Sequence, residues 1–131
     1  MSETVSRLIK QAVNALPKAY APYSGFAVAC CMESASKKLF TGVNVENIAY
    51  SQCICAEASA LCQMVSAGEQ SIAQVVILSK QGTLCPPCGS CRQRINEFAA
   101  KDCLIHLCNH ERPLKTLMIE ELLPLAFHFD K

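Results

Sequence analysis

Two short segments hold the residues whose types and spacing could do chemistry together. The first is Cys55-Ala56-Glu57, and the second, well downstream, is Pro87-Cys88-Gly89-Ser90-Cys91. Between them they supply three thiols and one carboxylate. Cysteine thiolates are strong ligands for zinc, and a closed structural zinc site takes four protein ligands. Three ligands leave one tetrahedral corner open, where water binds and hydrolytic chemistry becomes possible. Glu57, two positions beyond Cys55, can face that corner and carry protons without binding the metal.

The spacing supports this reading. Cys88 and Cys91 are i and i+3 at what reads as a helix start, so their Cβ atoms lie about 5–6 Å apart on one face. Thiolates so placed can converge on one metal at about 2.3 Å each. Cys55 opens a second helix. The free N–H groups at each helix start carry partial positive charge, which favours thiolate over thiol. Two other readings use the same residues. Cys85-Pro86-Pro87-Cys88 is a C-x-x-C that could form a redox pair, and Cys85 could instead contribute to a closed four-thiolate site with Cys55, Cys88 and Cys91. Ligand count and spacing favour the open site, holding one Zn²⁺ per chain.

The elements that must position these residues follow from hydrophobic periodicity. Val5, Leu8, Ile9, Ala12, Val13 and Leu16 recur at helical spacing, predicting an amphipathic helix over 4–18 that Pro17 closes. Residues 26–32 and 39–43 read as a hairpin across the polar stretch 34–38. Residues 44–51 read as an ordered loop. An Ala-rich helix over 55–67 ends at Gly68, and the β-branched run 74–79 is a buried strand. A loop leads to Pro87, suited to the first turn of a helix running to about 100. Strands over 104–108 and 114–117 and a helical turn over 119–123 complete the order α-β-β-α-β-α-β-β-α. That order predicts an α/β fold: a single three-layer domain, 1–131, with a mixed five-stranded sheet and helices on its faces.

Composition narrows the class. The chain has 131 residues, 51% of them hydrophobic, enough for a core without disulfide staples. Its 10 cysteines stand beside an N-terminus with no apolar signal segment, and the longest apolar runs are too short to span a bilayer. A reducing, cytoplasmic setting is expected. Lys plus Arg is 12 and Asp plus Glu is 11, a net charge of +1 with no basic stripe, so neither nucleic acid nor membrane is an expected partner. His106, His110 and His128 fall at no ligand spacing. Cys30, Cys31, Cys62, Cys103 and Cys108 read as small core residues, and Cys53 as a thiol beside a ligand rather than a ligand. Adjacent Glu120 and Glu121 share no helix face.

Beyond the metal motif, Pro22-Tyr23-Ser24-Gly25-Phe26, Asn44-Val45-Glu46-Asn47, Tyr50, Cys88-Gly89-Ser90-Cys91-Arg92-Gln93 and Leu122-Leu123-Pro124 with Phe127 resemble, in order, segments of the small cytidine deaminases that act on free nucleosides. Cys rather than His at 55 resembles the short homotetrameric class. The resemblance implies zinc on Cys55, Cys88 and Cys91, and Glu57 as the proton shuttle in hydrolysis of cytidine and 2′-deoxycytidine. It implies Asn44 and Glu46 on the ribose, Phe26 against the pyrimidine, and the backbone at Ala56 reading the base edge. Tyr50 and Phe127 are expected to reach a neighbouring subunit's pocket in a homotetramer, and the product to enter pyrimidine salvage. The family commonly has C-A-E-R-T, its Arg donating to the ligand thiolates, where this chain has Cys55-Ala56-Glu57-Ala58-Ser59. Three thiolates on Zn²⁺ carry a net charge of −1. Arg92 or Arg94 could reach the sulfurs, and Arg92 is the residue expected to assume part of that role.

Rival functions remain open at this level. A deaminase of a cytosine-nucleoside antibiotic of the blasticidin S type resembles this chain in lacking the Arg, whereas Asn44, Glu46 and Phe127 oppose that reading. A nucleic-acid editing enzyme needs a positive strand-binding groove. A thiol-redox protein would need no metal, and a structural zinc module would release no ammonia.

Overall fold

The three-dimensional structure, a computed structural model, describes residues 1–129; residues 130–131, the end of the expected 1–131 domain, lie outside the described residues. Ser2 caps helix α1 (Glu3–Ala15), its Oγ accepting from the Val5 N–H at 3.1 Å. Val5, Leu8, Ile9 and Ala12 form the buried stripe. The chain then tightens into a 3₁₀ turn at Leu16–Lys18, because Pro17 has no N–H to continue an α ladder.

Strands β1 (Val28–Ser34) and β2 (Leu39–Val43) form the expected hairpin. Helix α2 (Ala56–Ser66) follows, then β3 (Ile72–Ser79), helix α3 (Gly89–Phe98), β4 (Ala99–Cys108), β5 (Pro113–Leu117) and the single turn α4 (Ile119–Leu122). Several boundaries differ from expectation, with β1 running to Ser34 rather than 32, β3 starting at Ile72 rather than 74 and β4 at Ala99 rather than 104, and two more differences have identifiable reasons. Strand β1 starts at Val28 rather than 26, because the Asn44 amide takes over the backbone there: the Val28 N–H donates to its Oδ1 at 2.9 Å and its Nδ2 donates to the Phe26 carbonyl at 2.8 Å. Helix α3 ends early, because Ala99 turns extended to pair with Ile72.

The sheet runs β2-β1-β3-β4-β5. Only the β3–β4 pair is parallel, joined by the α3 crossover; the other pairs are antiparallel. Alternate side chains face opposite layers. Cys31, Val76, Leu78 and Cys108 pack under α1. Cys30, Met32, Val75, Ile77, Ile105 and Leu107 pack under Ala60 and Met64 of α2, Ile95 of α3 and Ile119 of α4. Each fully buried Leu or Ile of these two cores contributes about 1.5–3 kcal/mol. The three-layer α/β architecture with a mixed five-stranded sheet is therefore as expected. Cys30, Cys31, Cys103 and Cys108 lie in the core, but Cys62 does not: α2 buries 56, 57, 58, 60, 61 and 64, and Cys62 points to solvent. Among the described residues no helix is long and apolar enough to cross a membrane.

Register decides where chemistry can occur. Val28 pairs with Ser79 and Ala29 with Val43. The entry to β1, the exit of β2 and the exit of β3 thus share one end of the sheet. Phe26, Asn44 and the connections into α2 and α3 all issue from that end.

Candidate active site

Cys55 is the N-cap of α2 and Cys88 the N-cap of α3, so two helix starts deliver their first side chains to one place. Cys91 follows in the first turn of α3. The sulfurs of Cys55, Cys88 and Cys91 all lie within 4.8 Å of one another, and those of Cys55 and Cys88 are 3.7 Å apart. A tetrahedral ion with Zn–S bonds of about 2.3 Å requires sulfurs about 3.8 Å apart. The donor set therefore fits a metal that prefers thiolates and four-coordination. Cys85 stands outside the trio, as does Cys53, whose sulfur accepts from the Asn47 N–H at 3.3 Å.

Glu57 lies in the first turn of α2 and is only 5% exposed. Burial raises its pKa above the usual carboxylate range, opposed by its own backbone N–H and by the Arg94 charge. Burial also raises the Cys91 thiol, helped by the Glu57 charge and the two neighbouring sulfurs. Cys55 is raised by burial and by its contact with Cys88. Burial opposes ionisation of Cys88 too, but the backbone N–H of Cys91 and the thiols of Cys55 and Cys91 outweigh it and bring Cys88 below the ordinary thiol value. The trio is thus uneven, with Cys88 the most readily ionised sulfur.

The loops beside the helices hold the remaining expected residues. Asn44 spends one acceptor site and one N–H on the backbone at Val28 and Phe26, leaving a second of each. Glu46 ties down the opposite loop: Oε1 accepts from the N–H groups of Tyr23 and Ser24 at 3.0 Å each, and Oε2 accepts from the Ser24 hydroxyl. These bonds hold its pKa below the usual range. Ser24 Oγ in turn accepts from the Phe26 N–H at 2.9 Å, so Glu46 sets the position of Phe26. Tyr23 and Tyr50 meet edge to face, 6.2 Å between centroids. With Ser24, Glu46 and Cys53 they line a cavity of about 310 Å³. A larger cavity, about 590 Å³, is lined by Leu16, Tyr20, Pro22, Lys80 and their neighbours, and neither cavity is lined by the trio or Glu57. Ala56 is buried, whereas Phe127 is exposed on the C-terminal segment.

One expectation is corrected. Arg92 does not reach a ligand sulfur. Its Nε donates to the Pro87 carbonyl and its Nη1 to the Leu122 carbonyl, both at 2.9 Å, pinning α4 to the start of α3. The guanidinium that touches the trio belongs to Arg94, whose Nη1 lies 3.5 Å from Cys91 Sγ. Helical geometry holds the reason. Residue 94 is i+3 from Cys91 and shares its face, whereas residue 92 is adjacent and turned away.

Residues 2–107 match the family described as the cytidine and deoxycytidylate deaminase zinc-binding region. The chain belongs to that family of hydrolytic enzymes. It is similar to a cytidine deaminase of Halalkalibacterium halodurans, 34% identical over 92% of this chain and 91% of that protein. It is also similar to one of Mycoplasma genitalium, 35% identical over 97% and 98% respectively. Among solved structures, a cytidine deaminase from Burkholderia pseudomallei superposes with a TM-score of 0.86 at 35% identity, covering 97% of this chain and all of that one.

Proposed function

We propose that this chain, acting as one domain, hydrolyses cytidine and 2′-deoxycytidine to uridine and 2′-deoxyuridine with release of ammonia, in pyrimidine salvage. The observation that carries the reading is a buried carboxylate in the first turn of the helix that Cys55 caps, Cys55 being one of three clustered thiols whose spacing suits a tetrahedral ion. Cys55, Cys88 and Cys91 would hold one Zn²⁺, which when bound supplies Lewis acidity and an activated water.

Glu57 does the proton work. Its raised pKa suits a group that must accept a proton and give it up within one turnover. It takes a proton from the attacking water and delivers it to ring N3, making C4 electrophilic; the water oxygen bonds to C4, and Glu57 carries the water's second proton to the amine, whose C4–N bond breaks as ammonia leaves. The N–H groups that start α2 around Ala56 face the base edge. Phe26, held by Ser24 and Glu46, packs on the ring. The spare N–H of Asn44 and the carboxylate of Glu46 take the ribose hydroxyls. A Glu46 carboxylate at the ribose, kept ionised by its bonds to Tyr23 and Ser24, repels a phosphate and favours a nucleoside over a nucleotide. Tyr50 and Phe127, both exposed on this chain, would complete the pockets of neighbouring subunits in a homotetramer. Ten unpaired cysteines support a cytoplasmic setting.

The test pairs metal content with ammonia release from cytidine for wild type and Glu57→Gln. We expect about one zinc in each, and turnover at least about 10²-fold lower in the variant. Undiminished turnover removes Glu57 from this role. Faster turnover of blasticidin S than of cytidine reassigns the substrate.

A further inference from the structure

We infer that Arg94 is a positioning residue of the metal centre: from α3 it holds the Cys91 sulfur and offsets the surplus negative charge of three thiolates on a divalent ion. The inference rests on the zinc reading above and asks what balances that site.

A divalent ion on three thiolates carries −1, and the buried Glu57 carboxylate adds negative charge beside it. Like charges placed together beside the buried Cys91 and Glu57 oppose both ionisation and metal binding. Some cation must answer them. Helix α2 supplies none, since Ala56–Ser66 contains no Lys or Arg and the position i+3 from Cys55 is the buried Ala58. Arg92 is committed to two backbone carbonyls. Among the described residues Arg94 is the one cationic side chain hydrogen-bonded to a sulfur of the trio. Its charge is also felt by Glu57, so it serves both negative groups.

The geometry explains why arginine suits the position. Its guanidinium stays protonated at any working pH, and its fork can donate to a sulfur while keeping other N–H groups in water. Cys91 is fully buried and Arg94 lies at the surface above it, so solvent screens part of the interaction. Groups that orient metal ligands are worth about 10–100-fold in metal affinity, and exposure places Arg94 near the lower end.

The experiment measures zinc affinity of the loaded protein by competition with a chromophoric chelator, together with kcat and KM for cytidine, in wild type, Arg94→Met and Arg94→Lys. Arg94→Met keeps its circular dichroism spectrum, binds zinc about tenfold more weakly and loses kcat with KM little changed. Arg94→Lys recovers part of the affinity, because it restores the charge without the fork. Wild-type zinc affinity in Arg94→Met overturns the inference. A wild-type protein that takes up no zinc at all sinks the site reading itself, whatever Arg94 does.

Discussion

His106 shows how much one buried side chain can couple to solution conditions. It is 5% exposed in β4, with Nε2 2.8 Å from Gln74 Oε1 on β3 and Nδ1 2.9 Å from Thr116 Oγ1 on β5. Because Gln74 presents an oxygen, Nε2 carries the proton and the neutral ring is fully bonded. Burial lowers its pKa below the ordinary 6.5. A histidine whose folded pKa is depressed leaves the unfolded chain holding more protons in that window. Stability is then whole above about pH 6.5 and declines as pH falls through that value toward the folded pKa. Glu57, raised by burial, acts in the opposite sense, so the clean measurement is a difference. The unfolding midpoint of wild type should drop more between pH 7.5 and 5.5 than that of His106→Gln, and parallel slopes would refute the assignment. At this scale legibility tracked distance along the chain. The Cys-Ala-Glu turn and the Cys88–Cys91 pair are local, so helical spacing announces them. One local choice was nonetheless missed: Arg92 was the residue expected at the sulfurs, although the i+3 relation to Cys91 favours Arg94. The partners of His106 come from strands whose pairing no local pattern reveals.

Among elements, the contact between β2 and α2 governs the site, because α2 carries both Cys55 and Glu57. Gly42 makes that contact possible. A Cβ there would overlap the Ala60 N and lie 2.5 Å from the Ala56 carbonyl oxygen and 2.9 Å from Ala60 Cα. All three are backbone atoms of the helix and cannot rotate aside. Gly42→Ala gains about 0.5–1 kcal/mol of strand propensity, but overpacking against rigid backbone costs about 3 kcal/mol, and the second effect wins. We expect a lower urea midpoint and, because α2 must tilt, weaker zinc binding in whatever protein remains folded. A midpoint equal to wild type would mean that helix and strand can separate freely. The elements themselves were largely legible: all five strands and four α-helices overlap the segments that hydrophobic period and Gly or Pro punctuation marked, although the first half of β4 and the 3₁₀ turn at Tyr50–Gln52 were not anticipated. What escaped were ends set by long-range partners, such as the start of β1, which Asn44 unpairs, and the end of α3, which Ile72 recruits into the sheet. The outward turn of Cys62 escaped for another reason: on an Ala-rich helix the buried face cannot be told from composition.

For the whole molecule, the exposed apolar residues carry the argument. Tyr50 is 74% exposed, Phe127 73% and Ile48 79%, large apolar groups on the segment after Glu46 and on the C-terminal segment that a lone chain would leave in water. The proposed homotetramer covers them and makes each site composite, with Phe127 acting in a neighbour's pocket while Glu57 acts in its own. Those two assignments can be separated by complementation. Phe127→Ala damages the pocket next door, and Glu57→Gln silences its own. Co-expressed in one cell and purified together, the two variants would form mixed assemblies in which some pockets combine an intact Glu57 from one chain with an intact Phe127 from another. Activity should then exceed the sum of the two variants purified apart, and sedimentation should give four chains per particle. Strictly additive activity, or a particle of one chain, would confine the site to a single subunit and leave the exposed aromatic residues without this role.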